Sequence, residues 1–308
     1  MQVTANMVKE LRERTQAGMA DCKGALVEAE GDMEKAVEVI LKKGLAKAAK
    51  TAGKVASEGE VRTAVSADGK RGTIVEINSQ TDFVSRGDDF KAFVGQVLEA
   101  ASKLEKGADL SAAKLADGKT VEEARQAIAG KIGENIVVRR WDTVSVEGNG
   151  LVHSYVHMGG KNASLVALEV HSDEAAKHDG VRAFLENVAM QIVAMRPIVV
   201  DKLHVAQEQI AKQKEIFEHQ LKEEGKPEAS WAKILEGKLS KWFTEVTLHG
   251  QENVWGAGAD TIDKIRQELG KSVGGDVSIK EFVRFELGEG IAKKTENLAD
   301  EVAKTIGA

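Results

Sequence analysis

GEVRTAVSADGKRGTIVEINSQTDFVSRGDDFKAFVGQVL, residues 59–98, and GLVHSYVHMGGKNASLVALEVHSDEAAKHDGVRAFLENVA, residues 150–189, align without a gap at an offset of 91. Gly59, Val61, Val65, Gly69, Lys70, Val75, Asp82, Asp88, Ala92, Phe93 and Val97 fall on Gly150, Val152, Val156, Gly160, Lys161, Val166, Asp173, Asp179, Ala183, Phe184 and Val188. Eleven identities in forty positions exceed the roughly two or three that ordinary composition produces by chance. Ile74/Leu165, Ile77/Leu168 and Lys91/Arg182 are conservative pairs in the same alignment. Each stretch reads as an alternating strand (60–66; 151–157), a Gly-Lys turn (69–70; 160–161) and a second strand (73–77; 164–168). A helix closes each unit, with Phe90, Phe93, Val94, Val97 and Leu98 in one copy and Val181, Phe184, Leu185, Val188, Ala189 and Ile192 in the other. A hairpin that buries one face under its own helix is α+β layering, so the fold class is α+β with two related subdomains.

Working outward, residues 1–44 read as three short helices. Val8 and Leu11 lie on the first and Met19, Cys22, Leu26 and Ala29 on the second, while Asp32 caps a third carrying Ala36, Val37, Ile40 and Leu41. Cys22 sits among apolar positions and reads as core. Lys42, Lys43, Lys47, Lys50 and Lys54, with no acid between them, read as a solvated linker helix or as a basic strip facing an acidic partner or phosphates. Ile136–Trp141 reads as a strand ahead of the second copy, Phe282–Leu287 as a later one, and 291–306 as a closing helix. Between them, Leu203, Ile210, Ile216, Phe217 and Leu221 predict one long helix. Gly225-Lys226-Pro227 breaks it before a second, carrying Trp231, Ile234, Leu235, Leu239, Trp242, Phe243 and Val246. Two charged helices on a tight turn make an antiparallel hairpin. The expected division is a bundle and basic linker over 1–55, one core subdomain over 56–140, a second over 141–198 and 249–308, and a helical arm over 199–248.

The chain has 308 residues, 43 Lys+Arg against 49 Asp+Glu, a formal net charge of −6 and only 4% aromatics. That balance speaks against a dedicated nucleic-acid binder. One cysteine forbids an internal disulfide and any multi-cysteine metal site. Met1–Asn6 lacks the basic and apolar regions of a signal peptide, and no apolar run reaches the roughly 18 residues of a membrane span. The expected compartment is the cytoplasm.

A search for bond-making chemistry finds none. Gly118-Lys119-Thr120 and Gly270-Lys271-Ser272 lack the earlier glycine of a phosphate-binding loop, having Ala113 and Ile265 there. Gly256-Ala257-Gly258 lacks the third glycine of a dinucleotide fingerprint. His153 and His157 share a strand face without a third zinc ligand. The expectation is a protein that is not an enzyme and holds no cofactor and no metal. What stands out is Gln80-Thr81-Asp82-Phe83-Val84-Ser85-Arg86, at a strand–helix corner. Phe83 matches Glu174 in the repeat, so the shared fold does not require it. It is either a local core plug or an exposed anchor for a partner. Asp82, matched by Asp173, has a simple account as a cap of the following turn.

Thr81-Asp82-Phe83-Val84, Val8–Thr15, Gly18-Met19-Ala20-Asp21-Cys22-Lys23, Gly133-Glu134-Asn135-Ile136 and Phe285–Gly290 together resemble the motifs of the bacterial elongation factor Ts family, in that family's order. The resemblance implies a guanine-nucleotide exchange factor that binds GDP-bound and nucleotide-free elongation factor Tu. It implies a UBA-like N-terminal bundle and a coiled-coil arm that serves as an accessory or dimerising element. It further implies that Thr81, Asp82, Phe83 and Val84 intrude near the partner's magnesium site, with Phe83 as a wedge and Asp82 holding the displaced arrangement. His157 and Met19 become additional partner contacts, and no direct contact with nucleic acid or membrane is expected. The rival reading is a protein-interaction adaptor without exchange activity.

Overall fold

Residues 3–292 are described by the computed structural model, apart from Gln16 and Ala257. Helices α1 (Ala5–Thr15), α2 (Met19–Glu28) and α3 (Met33–Thr51) come first. Strands β1 (Glu58–Val65) and β2 (Arg71–Ser79) lead through α4 (Asp82–Arg86), α5 (Asp88–Ser102) and α6 (Val121–Ile132) to β3 (Ile136–Ser145). Next come β4 (Gly150–His157), β5 (Asn162–Val170), α7 (Asp173–Lys177) and α8 (Asp179–Met195). The arm helices α9 (Gln207–Glu223) and α10 (Glu228–Val246) precede α11 (Ile262–Val273) and β6 (Val277–Glu286). The helix expected over 291–306 falls, from residue 293 onward, outside the described residues. Helices accompany two three-stranded sheets, ordered β1-β2-β3 and β4-β5-β6, so the mixed α+β class holds. Two compact units divide the chain. One takes the described parts of Met1–Val61, Val75–Trp141 and Glu286–Ala308, the other Arg62–Ile74 and Asp142–Phe285.

Backbone crowding explains why the repeat begins on glycine. A Cβ on Gly59 would lie 2.1 Å from the Ile77 carbonyl oxygen, and one on Gly150 would lie 2.2 Å from that of Leu168. No other residue tolerates such an approach. β2 and β5, α4 and α7, and the starts of α5 and α8 all recur at the offset of 91. The correspondence then goes further than the alignment. α6 and β3 return as α11 and β6, with every boundary offset by 141, because the fifty-residue arm splits the second copy. Thr120 and Thr261 cap these helices, and Gly133 and Gly274 end them in the left-handed conformation. One clamp locks each helix to its strand. Arg125 Nε donates to Glu122 (2.7 Å) and its Nη1 to the Ile136 carbonyl (2.9 Å). Arg266 repeats this with Asp263 (2.9 Å) and the Val277 carbonyl (2.6 Å).

The first three helices enclose Val8, Leu11, Cys22, Ala25, Leu26, Ala29 and Ala36, so Cys22 is core. Asp32 caps α3 by accepting from the N–H groups of Glu34 and Lys35. Two lysines of the basic run are tied back to α2, Lys43 to Glu28 (2.6 Å) and Lys47 to Asp21 (3.0 Å). α3 also crosses α6 at a glycine pair, where a Cβ on Gly130 would lie 2.4 Å from the Gly44 carbonyl oxygen. Buried Glu76 of β2 gathers the sheet and the segment after β6. It accepts from Arg139 (2.8 Å), Arg140 (2.6 Å), Asn78 (3.2 Å) and the Gly288 backbone N–H (2.8 Å).

α9 and α10 form the expected hairpin, turning at Gly225 in the left-handed region, with Leu221 and Leu235 buried between them. Leu203 does not belong to it. Asp201 accepts from the Leu203 N–H (2.8 Å) and opens a separate 3-10 turn, leaving Leu203 85% exposed. At the arm's root, buried Gln191 donates to Gln251 and the Glu252 carbonyl, and Gln251 donates to the Met195 and Glu245 carbonyls. No helix among the described residues is long and apolar enough to cross a membrane.

Candidate functional site

β2 is buried along almost its whole length, from Gly72 through Ser79. Where it ends, the chain turns sharply. Ser79 Oγ donates to the Thr81 carbonyl (2.9 Å), and Thr81 adopts extended geometry (φ −120°, ψ 154°) as the cap of α4. Its hydroxyl oxygen accepts from the Val84 N–H at 3.5 Å. The Thr81 N–H and O–H in turn donate to the two carboxylate oxygens of Glu134, at 3.1 and 2.8 Å. Ser85 is buried and donates to the Asp82 carbonyl (2.9 Å), and the Gly87 N–H closes the turn on the Val84 carbonyl (3.0 Å). Beside this corner the Gln80 Nε2 is buried and, among the described residues, finds no acceptor.

On this short, pinned turn Phe83 is 83% exposed. That exposure excludes the core-plug reading of the sequence. Val84 is half-buried and points less freely. Asp82 is not the cap of α4, since Thr81 has that role; Asp82 instead pairs with Arg86 at 2.7 Å on the surface. In the second copy Ser172 caps α7 through the Ala175 N–H (3.1 Å), and Glu174 occupies the place of Phe83. An exposed phenylalanine contributes little to its own fold, whereas burying it against a partner is worth about 1.5–3 kcal/mol.

The other expected contacts lie elsewhere. Met19 begins α2 and is half-exposed, in the same unit as the corner. His157 ends β4 in the other unit, exposed, its Nδ1 3.0 Å from the Tyr155 hydroxyl. His153, four residues earlier, is half-buried, and that burial pushes its imidazole below the ordinary range against the opposing pull of Glu186. Among the described residues no group of three or more His, Cys, Asp or Glu side chains is arranged to hold a metal. The structure thus brings Thr81–Val84 together with Glu134, a residue the sequence left without a role. Only the string Gly133–Ile136 marked it, and nothing in that string indicates a contact 53 positions away.

The family described as elongation factor TS matches residues 80–289, beginning one residue before the corner. Whole-chain relatives carry the same name. Elongation factor Ts of Clostridium perfringens is 47% identical over 308 residues, covering 99% of both chains. That of a Nitratiruptor species is 47% identical over 305 residues, 98% of this chain and 99% of the relative. The chain belongs to the elongation factor Ts family. A third relative, elongation factor Ts of Nautilia profundicola, is 43% identical over 306 residues and 99% of each chain.

Elongation factor Ts acts in translation as a guanine-nucleotide exchange factor, and membership implies interaction with elongation factor Tu. Exchange asks for differential binding and no bond-making: the factor must hold the nucleotide-free partner more tightly than the GDP-bound one. By linkage, whatever factor it weakens GDP binding by, GDP weakens its own binding by the same factor. About 1.4 kcal/mol of such difference is worth tenfold. One apolar side chain, buried in only one of the two partner states, supplies a difference of that order.

Proposed function

We propose that the Thr81–Val84 corner is the part of this elongation factor Ts chain that opens the nucleotide site of elongation factor Tu. Phe83 enters between partner helices, Asp82 helps hold the displaced arrangement, and Thr81 and Val84 fix the turn that presents them. Displacement at that place disturbs the partner's own Mg2+, the cation that screens the diphosphate, and GDP leaves; GTP then refills the site by mass action. Met19 and His157 contribute further contact. The chain itself carries out no covalent chemistry. The observation behind this reading is the 83% exposure of Phe83 on a turn anchored at both ends.

The remaining parts follow the same reading. Residues 1–55 form the UBA-like docking bundle and its basic linker, 56–140 and 141–198 with 249–308 the two core subdomains, and 199–248 a coiled-coil arm available for dimer formation. The net charge of −6 suits a protein partner and not nucleic acid, and the site of action is the cytoplasm. Release of a fluorescent GDP from elongation factor Tu, followed by stopped flow, tests the reading. The wild-type chain accelerates release, and Phe83→Ala slows the accelerated rate by about tenfold or more. Wild-type speed in Phe83→Ala contradicts the wedge, and binding without any acceleration by the wild-type chain is the adaptor's result.

A further inference from the structure

α4 has only five residues, too few to hold itself in place. Its cap is also long, 3.5 Å from Thr81 Oγ1 to the Val84 N–H, against 3.1 Å for Ser172 in the second copy. What Thr81 has, and Ser172 lacks among the described residues, is a carboxylate, whose two oxygens take its N–H and O–H at 3.1 and 2.8 Å. Hydrogen bonds to an ionised acceptor are about twice as strong as neutral ones. Glu134 reaches Thr81 because Gly133, left-handed at φ 83°, turns the chain sharply at the end of α6. Asn135 comes next and donates to the carbonyls of Ala52 (3.2 Å) and Lys54 (2.7 Å), just past α3. Adjacent side chains therefore hold the corner that carries Phe83 and the segment that leaves the N-terminal helices.

The second copy serves as an internal control. Gly274 makes the same turn at φ 79°, but Gly275 and Asp276 follow it. A Cβ on Gly275 would lie 2.3 Å from the exposed His171 ring, so a glutamate there would have to displace that ring. The same helix–turn–strand junction is thus built without the carboxylate, and the copy that lacks it also lacks the phenylalanine. Nothing in the shared fold demands Glu134.

We infer that Glu134 is a positioning residue for nucleotide exchange, acting through Thr81 to hold the turn that aims Phe83 at the partner; this rests on the wedge reading above. Without the carboxylate the turn keeps its sequence and loses its direction, and a misplacement of about 1 Å is enough to cost a large factor in rate.

The test uses the full chain and GDP release from elongation factor Tu over a range of chain concentrations, which separates the maximal rate from the half-saturating concentration. Glu134→Ala is expected to lower the maximal rate about tenfold, with a smaller change in half-saturation. Glu134→Gln keeps an acceptor for the Thr81 N–H and offers a donor to its hydroxyl oxygen, so most of the rate returns. Added to Phe83→Ala, Glu134→Ala lowers the rate little further, since the side chain it aims is gone. If Glu134→Ala does not fold, Glu134→Asp draws the carboxylate back from Thr81 while leaving the Thr81 cap in place, and shows the same pattern at smaller size. A folded Glu134→Ala at wild-type speed, beside a slow Phe83→Ala, overturns the inference and leaves the wedge standing. An undiminished Glu134→Ala effect in the Phe83→Ala background also overturns it. Wild-type speed in Phe83→Ala removes the wedge and this inference together.

Discussion

Phe83 is a large apolar residue that the fold leaves exposed, so the proposed wedge role comes at almost no cost to the fold. Exposed as it is, Phe83→Ala is expected to shift stability by no more than about 0.5 kcal/mol in urea titration. A loss of several kcal/mol contradicts the exposed placement. Phe83 is conspicuous in the sequence because Glu174 stands at the same corner of the second copy. The sequence left its direction open, since an apolar side chain at a strand–helix corner plugs or protrudes according to contacts made far along the chain. The same distance hides Glu134, whereas the ambiguity over the cap is local. Thr81 and Asp82 are both good capping types, and only the backbone geometry shows which of them precedes the first helical residue.

Among the elements, the crossing of α3 and α6 makes an asymmetric prediction. A Cβ on Gly44 meets nothing nearer than the Gly130 Cα at 4.0 Å, so Gly44→Ala is expected to be neutral or to stabilise by up to about 1 kcal/mol through helix propensity. A Cβ on Gly130 runs into Gly44 backbone at 2.4–2.6 Å, so Gly130→Ala is expected to cost about 1–3 kcal/mol. Thermal unfolding of the two variants decides; equal effects contradict the packing. The hairpin–helix unit was legible from eleven identities at one offset. Its continuation through α6 and β3 was not, because the arm shifts the second half to another offset. Only Thr120, Arg125, Gln126 and Gly133 survive there as identities with Thr261, Arg266, Gln267 and Gly274. What persists is the arginine clamp and the two caps, a pattern of roles and not of strings. The first arm helix begins after Leu203 for a local reason: Leu203 keeps the helical spacing, but Asp201 diverts the backbone into a 3-10 turn.

For the molecule as a whole, two electrostatic features carry consequences. Glu76 is fully buried with two arginines and a backbone N–H on its carboxylate. Glu76→Ala removes the carboxylate that joins the two arginines and the Gly288 N–H, while Arg140 keeps Glu289, and is expected to cost about 1–3 kcal/mol; a loss below about 0.5 kcal/mol by urea titration contradicts its role as the tie between sheet and C-terminal segment. The second feature is acid sensitivity. Burial pushes the imidazoles of His153 and His249 below their ordinary value near 6.5, against the opposing pulls of Glu186 and Asp263. Below that pH the unfolded chain binds protons that the folded chain refuses, so stability falls as pH drops from about 6.5 through the depressed folded values. Urea midpoints at pH 7.5 and 5.5 are expected to show this loss, and the His153→Gln, His249→Gln chain is expected to lose less. A midpoint that rises on acidification contradicts the assignment.

On the proposed reading the Phe83 corner discriminates between two states of the partner, and a pair of affinities tests it. Binding of the wild-type chain and of Phe83→Ala to elongation factor Tu is measured with the partner nucleotide-free and with it GDP-bound. Phe83→Ala is expected to weaken binding to the nucleotide-free partner by about tenfold or more while leaving the GDP-bound complex nearly unchanged. Equal weakening of both complexes, or of neither, rules out discrimination by Phe83.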